Sequence, residues 1–128
     1  MPEQRRYKPP PPDACEEDTV PVRLPIPGNE LRVRTVVYRN LIVDFAVVQI
    51  VRFEGRWITV AKIDCDRGVI HRRQYVRSTG EDILDHQPLC PIPPDRGWDV
   101  VDRWFRDALD LMEDEWEDNL RRWRGDTA

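Results

Sequence analysis

The chain has 128 residues, 40% of them hydrophobic, and a formal net charge of -4. This length predicts one modest hydrophobic core and a single domain. No apolar stretch approaches the roughly 20 residues that cross a bilayer, and the acidic total argues against nonspecific nucleic-acid binding by the whole molecule.

The first element is a proline-rich tail over residues 1–30. Eight of the twelve prolines fall within residues 1–27, next to the acidic run CEEDTV. This composition buries too little apolar surface to offset the entropy of ordering, so the tail is predicted to be extended or disordered. Its start lacks the apolar region of a secretion signal, which predicts a cytoplasmic protein.

The middle of the chain alternates with the period of β-strands and is rich in β-branched side chains. Apolar residues line one side of LRVRTVVY and of LIVDFAVVQIVRF, and two more strands follow in RWITVAKIDC and VIHRRQYV. The prediction is a four-stranded antiparallel meander with strands at about 31–38, 41–53, 56–65 and 69–77. The run ILDHQPLCPIPP is predicted to be an extended connector, because proline is excluded from helices and central strands.

The last element is an amphipathic helix over about residues 97–124, with apolar side chains at spacings of three and four. Such a helix is roughly 42 Å long, which exceeds the length of ordinary strands. The end of its apolar stripe is therefore predicted to bind a protein partner or a second copy of the chain, through Trp116, Leu120 and Trp123. The predicted fold class is α+β, in which a four-stranded antiparallel meander packs against one long C-terminal helix. This single domain over residues 31–128 follows the proline-rich, irregular N-terminal tail.

The stretch KIDCDRGVIHRRQY contains the candidate catalytic residues. Strand alternation puts His71, Arg73 and Tyr75 on one face. A three-residue loop at the turn would place an isoleucine opposite His71, whereas a two-residue loop would place Asp64 there, and the sequence leaves both registers open. In the second register Asp64 would orient the imidazole. The four residues then supply an acid or base, a cation for phosphate and a phenol for positioning or stacking.

Further arginines of the predicted sheet are candidate contacts for nucleic-acid phosphates. Residues 31–80 hold 10 basic and 4 acidic side chains, a net charge of +6, whereas residues 81–128 hold 6 and 14, a net charge of -8. The candidate contacts are Arg32, Arg34, Arg52, Arg56 and Arg77. The chain has no histidine or cysteine spacing typical of a metal site, and it lacks a glycine-rich phosphate loop, so no cofactor is predicted.

The run GRWITVAKIDCDRGVIHRRQY resembles the hairpin of a group of small, uncharacterised bacterial proteins. In that group a tryptophan strand, a D-x-x-x-G turn and a following H-x-H or H-x-R strand recur. The run is also distantly similar to the compact TumE-type toxins of bacterial toxin-antitoxin pairs. Trp57, Asp64, Gly68 and His71 match by position, and Arg73 stands where a second histidine would be expected. The resemblance covers about a sixth of the chain and implies an intracellular bacterial protein with a toxin-like action on RNA.

Two functions follow from these predictions, and the sequence leaves open whether the protein is an enzyme. The first is a small intracellular toxin-like protein whose basic sheet face engages RNA or another phosphate-bearing ligand, with metal-independent RNA cleavage as the sharper form. The second is a non-enzymatic interaction or assembly protein. It would bind a partner, or form a homodimer, through the acidic, tryptophan-rich helix and the proline-rich tail.

Overall fold

The computed structural model describes residues 5–125. A short 3-10 turn, Pro12–Ala14, precedes the regular elements. The strands and the helix are β1 (Glu16–Arg23), β2 (Asn29–Tyr38), β3 (Leu41–Phe53), β4 (Arg56–Asp66), β5 (Val69–Gln74), β6 (Gln87–Pro91) and α1 (Gly97–Arg124). The class is α+β, with one long C-terminal helix, as predicted. Within the described residues, no helix combines the length and the apolar composition needed to cross a membrane.

The strands form one antiparallel sheet in the order β1-β2-β3-β4-β5-β6. The prediction of four strands is wrong, because it missed both edge strands. β1 lies in the segment predicted to be an irregular tail, and β6 lies in the predicted connector. Both contain proline, namely Pro21 in β1 and Pro88 and Pro91 in β6. Proline lacks the N–H of the ladder, but an edge strand pairs on one side only, so a proline nitrogen that faces away loses no hydrogen bond.

Three two-residue turns, at residues 39–40, 54–55 and 67–68, set the register of the central strands. All six of their residues have positive φ, between 49° and 78°. This is the geometry of hairpin turns that follow the right-handed twist of the strands. The third turn selects one of the two registers that the sequence left open, since Asp64 pairs directly with His71.

The helix runs along β3 and covers one face of the sheet. Phe45 packs edge-on against Phe105, and Phe53 packs edge-on against Trp123. The start of the helix therefore lies over the start of β3, and the end of the helix over its end. β3 has 13 residues, about 43 Å at about 3.3 Å per residue, which matches the roughly 42 Å of the helix.

This match in length places the end of the apolar stripe of the helix inside the core of the chain. Trp116, Leu120 and Trp123, which were predicted to bind a partner, are only 5%, 5% and 2% exposed. The prediction assumed strands of ordinary length, and β3 is more than twice as long. These three side chains therefore offer almost no surface to a partner.

Buried amide side chains join α1 to the sheet. Gln49, Gln74 and Asn119 are 0%, 1% and 0% exposed. Asn119 Nδ2 donates to Gln49 Oε1 at 3.0 Å, and Gln49 Nε2 donates to the carbonyl oxygen of Trp116 at 2.8 Å. Gln74 Nε2 donates to the carbonyl oxygen of Asn119 at 3.1 Å. These bonds fix the position of the helix along β3, because a shift would leave buried amides without partners.

The segment before β1 docks on the core through one aromatic side chain. Tyr7 is 7% exposed, and its hydroxyl donates to the carbonyl oxygen of Val43 at 2.6 Å. Burial raises the pKa of Tyr7 well above its usual range. The predicted tail is thus anchored at Tyr7 and adds β1 to the sheet. Residues 1–4 of that tail lie outside the described residues.

Candidate phosphate-binding site on the open face of the sheet

The face of the sheet opposite to α1, called the open face below, carries three of the four candidate catalytic residues, Asp64, His71 and Arg73. On β4 and β5, Asp64 pairs with His71 and Lys62 pairs with Arg73. Alternation along β4 puts these side chains on the side opposite to Ile63, which is fully buried under the helix. The imidazole and the guanidinium therefore lie together on the face that the helix does not cover.

His71 and Arg73 line one cavity of about 270 Å³ together with Asp66, Arg67 and His86. We call it the His71 cavity. The rings of His71 and His86 meet edge to face, with their centroids 6.2 Å apart. The volume lies just below the range of pockets for drug-sized ligands, so the cavity suits a small polar group such as one phosphate. His86 was missed as a site residue, because it follows β5 by a long connection rather than lying on the hairpin.

The position of His86 is set by Asp82. One carboxylate oxygen of Asp82 accepts hydrogen bonds from the N–H groups of Gln74 and Leu84, both at 3.0 Å, and the other accepts from the N–H of His86 at 2.8 Å. Burial alone would raise the pKa of Asp82, but these hydrogen bonds hold it below its ordinary value. The sequence carried this signal, since an aspartate in a turn commonly binds the backbone N–H groups that follow it.

Opposite charges alternate around the His71 cavity. Arg73 pairs with Asp66 at 3.1 Å, and Lys62 approaches Asp64 at 3.9 Å. Three buried atoms of this cluster, Asp64 Oδ1, His71 Nδ1 and Arg73 Nε, have no hydrogen-bond partner among residues 5–125. Buried polar atoms are normally paired. These groups are therefore incompletely hydrogen-bonded in the fold, and a ligand in the cavity would contact the other atoms of His71 and Arg73, which line it.

Two of the arginines predicted to contact phosphate are already engaged by carboxylates. Arg34 pairs with Glu17 and Asp44, and Arg32 pairs with Glu30. The positive charge counted along the sequence is therefore partly neutralised in the fold. In the part of the chain that the structure describes, no ion pair forms at the other three, Arg52, Arg56 and Arg77.

Tyr75, which was expected beside His71, lies in a different cleft. β5 ends at Gln74, and the chain then turns toward the end of α1, where the Arg77 N–H donates to the carbonyl oxygen of Trp123 at 2.8 Å. Tyr75 and Arg77 both line the cleft at this end of the sheet. The structure thus keeps Asp64, His71 and Arg73 together and separates Tyr75 from them.

The three cysteines of the chain are not joined in disulfides. Cys15, Cys65 and Cys90 are free thiols. Burial raises the pKa of Cys65 well above its usual range, so its sulfur stays a neutral thiol. Within residues 5–125, no three His, Cys, Asp or Glu side chains are grouped to hold a metal ion.

Replacement of Asp82 by alanine is expected to loosen the loop that carries His86. Three backbone N–H groups, those of Gln74, Leu84 and His86, lose their acceptor. A hydrogen bond to a charged group contributes roughly 1.5 kcal/mol, so these amides should exchange with solvent about tenfold faster. The pKa of Asp82 is lower in the folded state than its ordinary value of about 3.9. In the wild type the protection of these amides against exchange is therefore complete above about pH 3.9 and is lost as the pH falls through the lower, folded-state pKa. Hydrogen exchange followed by NMR measures both effects. Unchanged exchange in Asp82→Ala would contradict this account, and Glu81→Ala, at the neighbouring exposed carboxylate, is the control.

A protein-family model described as Domain of unknown function (DUF7718) matches residues 16–124. The match spans all six strands and the helix, and it begins after the segment that carries Tyr7. The comparisons with curated proteins and with solved structures gave no match.

Proposed function

The chain belongs to the family described as Domain of unknown function (DUF7718), and we propose that it is a small RNA-binding protein that engages RNA at the His71 cavity. The observation that carries the proposal is the grouping of two imidazole rings and two arginine side chains in one cavity of the open face. Arginine binds phosphate oxygens through paired N–H groups, and imidazole adds a further donor or acceptor.

The two arginines of the His71 cavity differ in exposure and in ion pairing. The Arg73 side chain is 16% exposed and is held by Asp66, whereas Arg67 is exposed at the turn between β4 and β5. An entering phosphate competes with Asp66 for Arg73 and gains Arg67 as a second cation. This exchange makes binding sensitive to salt, because each phosphate contact releases counterions from the nucleic acid.

The sharper form of the proposal is RNA cleavage by general acid-base chemistry. One imidazole of the His71–His86 pair removes the proton of a ribose 2′-hydroxyl, whose oxygen attacks the adjacent phosphorus. The other imidazole gives a proton to the 5′ oxygen as its bond to phosphorus breaks. The products are a 2′,3′-cyclic phosphate and a free 5′-hydroxyl, so no further reactant is needed. Arg73 stabilises the charge that develops on the phosphate oxygens.

A toxin-like role follows from this chemistry and from the resemblance of the hairpin to TumE-type toxins. An RNA-cleaving protein of this kind is expected to slow growth when it is expressed in a bacterial cell. The His71→Ala variant, expressed to the same level, should leave growth unchanged. Equal growth with wild type and with an empty vector would contradict the toxin role.

Replacement of His71 or of His86 by alanine is expected to reduce cleavage of a single-stranded RNA by about 10²- to 10⁴-fold, the usual contribution of one acid-base group. Arg73→Ala should weaken binding and lower the slope of log affinity against log salt by about 1. Cleavage is measured on a labelled oligonucleotide in the presence of EDTA, and binding on a matched oligonucleotide with a 2′-deoxy group at the cleavage point, which should bind without being cleaved.

The matched control is Arg106→Ala, which removes the same charge from an exposed position on the helix, on the other side of the molecule. It should change neither cleavage nor the salt slope. Binding that persists without cleavage in wild type would restrict the function to RNA recognition. Absence of RNA binding, or equal binding by Arg73→Ala and Arg106→Ala, would overturn the proposal.

A further inference from the structure

We infer that the cleft beside Trp57 binds a nucleobase of single-stranded RNA. This second site deepens the proposed function and rests on it for the identity of the nucleic acid. The cleft lies at the end of the sheet near the C-terminal end of α1 and has a volume of about 580 Å³. Its aromatic and cationic lining consists of Phe53, Arg56, Trp57, Tyr75, Arg77 and Trp123.

Trp57 gives the cleft an exposed aromatic surface. The side chain is 38% exposed, although the other large aromatic residues of the sheet are buried or half-buried. The guanidinium groups of Arg32 and Arg52 lie 5.5 Å and 5.7 Å from the centre of its ring. Both guanidinium groups lie over the indole, so a nucleobase that stacks on Trp57 displaces one of them, and the displaced cation can bind the phosphate.

Arg77 supplies a cation that is fixed in place while its side chain stays exposed. Its guanidinium lies 5.1 Å from the centre of the Phe53 ring and 5.7 Å from that of Trp123. Its backbone N–H donates to the carbonyl oxygen of Trp123. The phenol of Tyr75 lines the same cleft and can hydrogen-bond to the edge of a base. Tyr75 was predicted to stack or position RNA beside His71, and here it is proposed to do so in the cleft.

The positive charge of the cleft favours a ligand that carries a negative charge. The arginines that line the cleft are Arg56 and Arg77, neither of which forms an ion pair with any residue in 5–125, and Glu54 is the acidic residue of the lining. A cationic ligand is repelled by this surplus of positive charge, and a purely apolar ligand leaves the guanidinium groups unused. A nucleotide offers both a planar ring and a phosphate. Stacking on aromatic side chains beside cations is the usual way in which proteins hold single strands.

Trp57, which pairs with Arg52 at the edge of the cleft, lies on the same strand as Asp64 of the His71 site. Seven positions of β4 separate Trp57 from Asp64, which pairs with His71, and this is roughly 20 Å at about 3.3 Å per residue. Lys62 lies on the open face between them. The separation is close to the smallest site sizes of single-strand binding proteins, about four nucleotides. One short strand can therefore place a base at Trp57 and a phosphate at His71.

The test uses nucleosides first, because they carry a base and no phosphate. Titration of the full chain with adenosine or uridine, followed by ¹H–¹⁵N NMR, should shift the indole N–H of Trp57. The nucleoside monophosphates should bind about three- to tenfold more tightly through one added hydrogen bond to the phosphate. Trp57→Ala should abolish the shifts elsewhere in the cleft and lower the affinity for single-stranded RNA roughly 5- to 150-fold, the effect of losing one base stack. Trp57→Phe should restore most of the affinity.

Trp98→Ala is the matched control, since Trp98 packs against Tyr38 at the opposite end of the helix, and it should leave RNA affinity unchanged. Duplex RNA, whose bases are paired, should bind equally to wild type and Trp57→Ala. Nucleosides that produce no shift at Trp57, or an acidic peptide that binds the cleft in their place, would overturn this inference while cleavage at His71 could still stand. Shifts at Trp57 with no RNA binding at the His71 cavity would instead remove the proposed function alone.

Discussion

Replacement of Asn119 by alanine is expected to lower the free energy of unfolding by about 3–5 kcal/mol. Asn119 is fully buried, and its amide is the centre of a hydrogen-bond network. Its Nδ2 donates to Gln49 Oε1, and its Oδ1 accepts from Arg72 at 3.0 Å and from Arg122 at 3.1 Å. Alanine leaves a buried carbonyl oxygen and a nearly buried guanidinium without this partner. Each such group costs about 1–3 kcal/mol, and the charged one costs more.

Urea denaturation followed by circular dichroism measures this loss, and an unchanged m value shows that the folded and unfolded states keep their compactness. Arg122→Ala is the matched control, because it removes one exposed donor to the same oxygen and should cost less than about 1 kcal/mol. The double variant Gln49→Leu, Asn119→Leu should lose less than the sum of the two single changes, since neither amide is then left unpaired. A loss below about 1 kcal/mol in Asn119→Ala would contradict the network as a source of stability.

The sequence predicted where the helix lies, and it did not predict this network. The helical spacing indicated an apolar stripe that packs on the sheet, but its last residues, Trp116, Leu120 and Trp123, were predicted to bind a partner, and Asn119 lies among them. An asparagine there was not recognised as buried, because its partner depends on the register between α1 and β3. That register is a tertiary property, set by contacts such as Gln49 with Asn119.

The edge strands were missed for a related reason. Central strands show alternation because one of their faces is buried, whereas β1 is exposed at seven of its eight residues. β1 therefore has no apolar periodicity to detect. Pro21, and Pro88 in β6, then argued against strands, although proline is compatible with an edge. A sequence thus indicates the centre of such a sheet much more clearly than its borders.

The sequence predicted the strand residues of the candidate site but neither the hairpin register nor the place of His86. Alternation placed His71 and Arg73 on one face, and the structure keeps them there. The choice between the two hairpin registers required knowing that Arg67 adopts positive φ, +52°, which is uncommon for a residue other than glycine, asparagine or aspartate. His86 joins the cavity through the hydrogen bonds of Asp82, so its place depends on a loop conformation and not on strand period.

The second large loss of stability is expected where the N-terminal segment packs against the helix. The proline-rich composition predicted an irregular tail. The segment docks on the core at Tyr7, whose ring fills the space that Gly97 of the helix leaves open. Gly97, the first residue of α1, is buried against the Tyr7 ring, and a Cβ built there would overlap the ring and approach Ile92 Cγ2 at 2.7 Å. The absence of a side chain at Gly97 is therefore a packing requirement.

Gly97→Ala is accordingly expected to destabilise the protein by about 1–3 kcal/mol, the usual cost of overpacking. At an exposed helical position the same change would stabilise by up to about 1 kcal/mol, so the sign of the effect tests the contact with Tyr7. Urea denaturation measures the loss. In a Tyr7→Ala background, which itself should cost about 3–5 kcal/mol, the added cost of Gly97→Ala should shrink or change sign, because the ring that it overlaps is gone. Equal costs of Gly97→Ala in both backgrounds would show that the segment is not docked at this point. Tyr7→Phe keeps the ring and should retain the full cost of Gly97→Ala, while losing about 1 kcal/mol for the hydrogen bond to Val43.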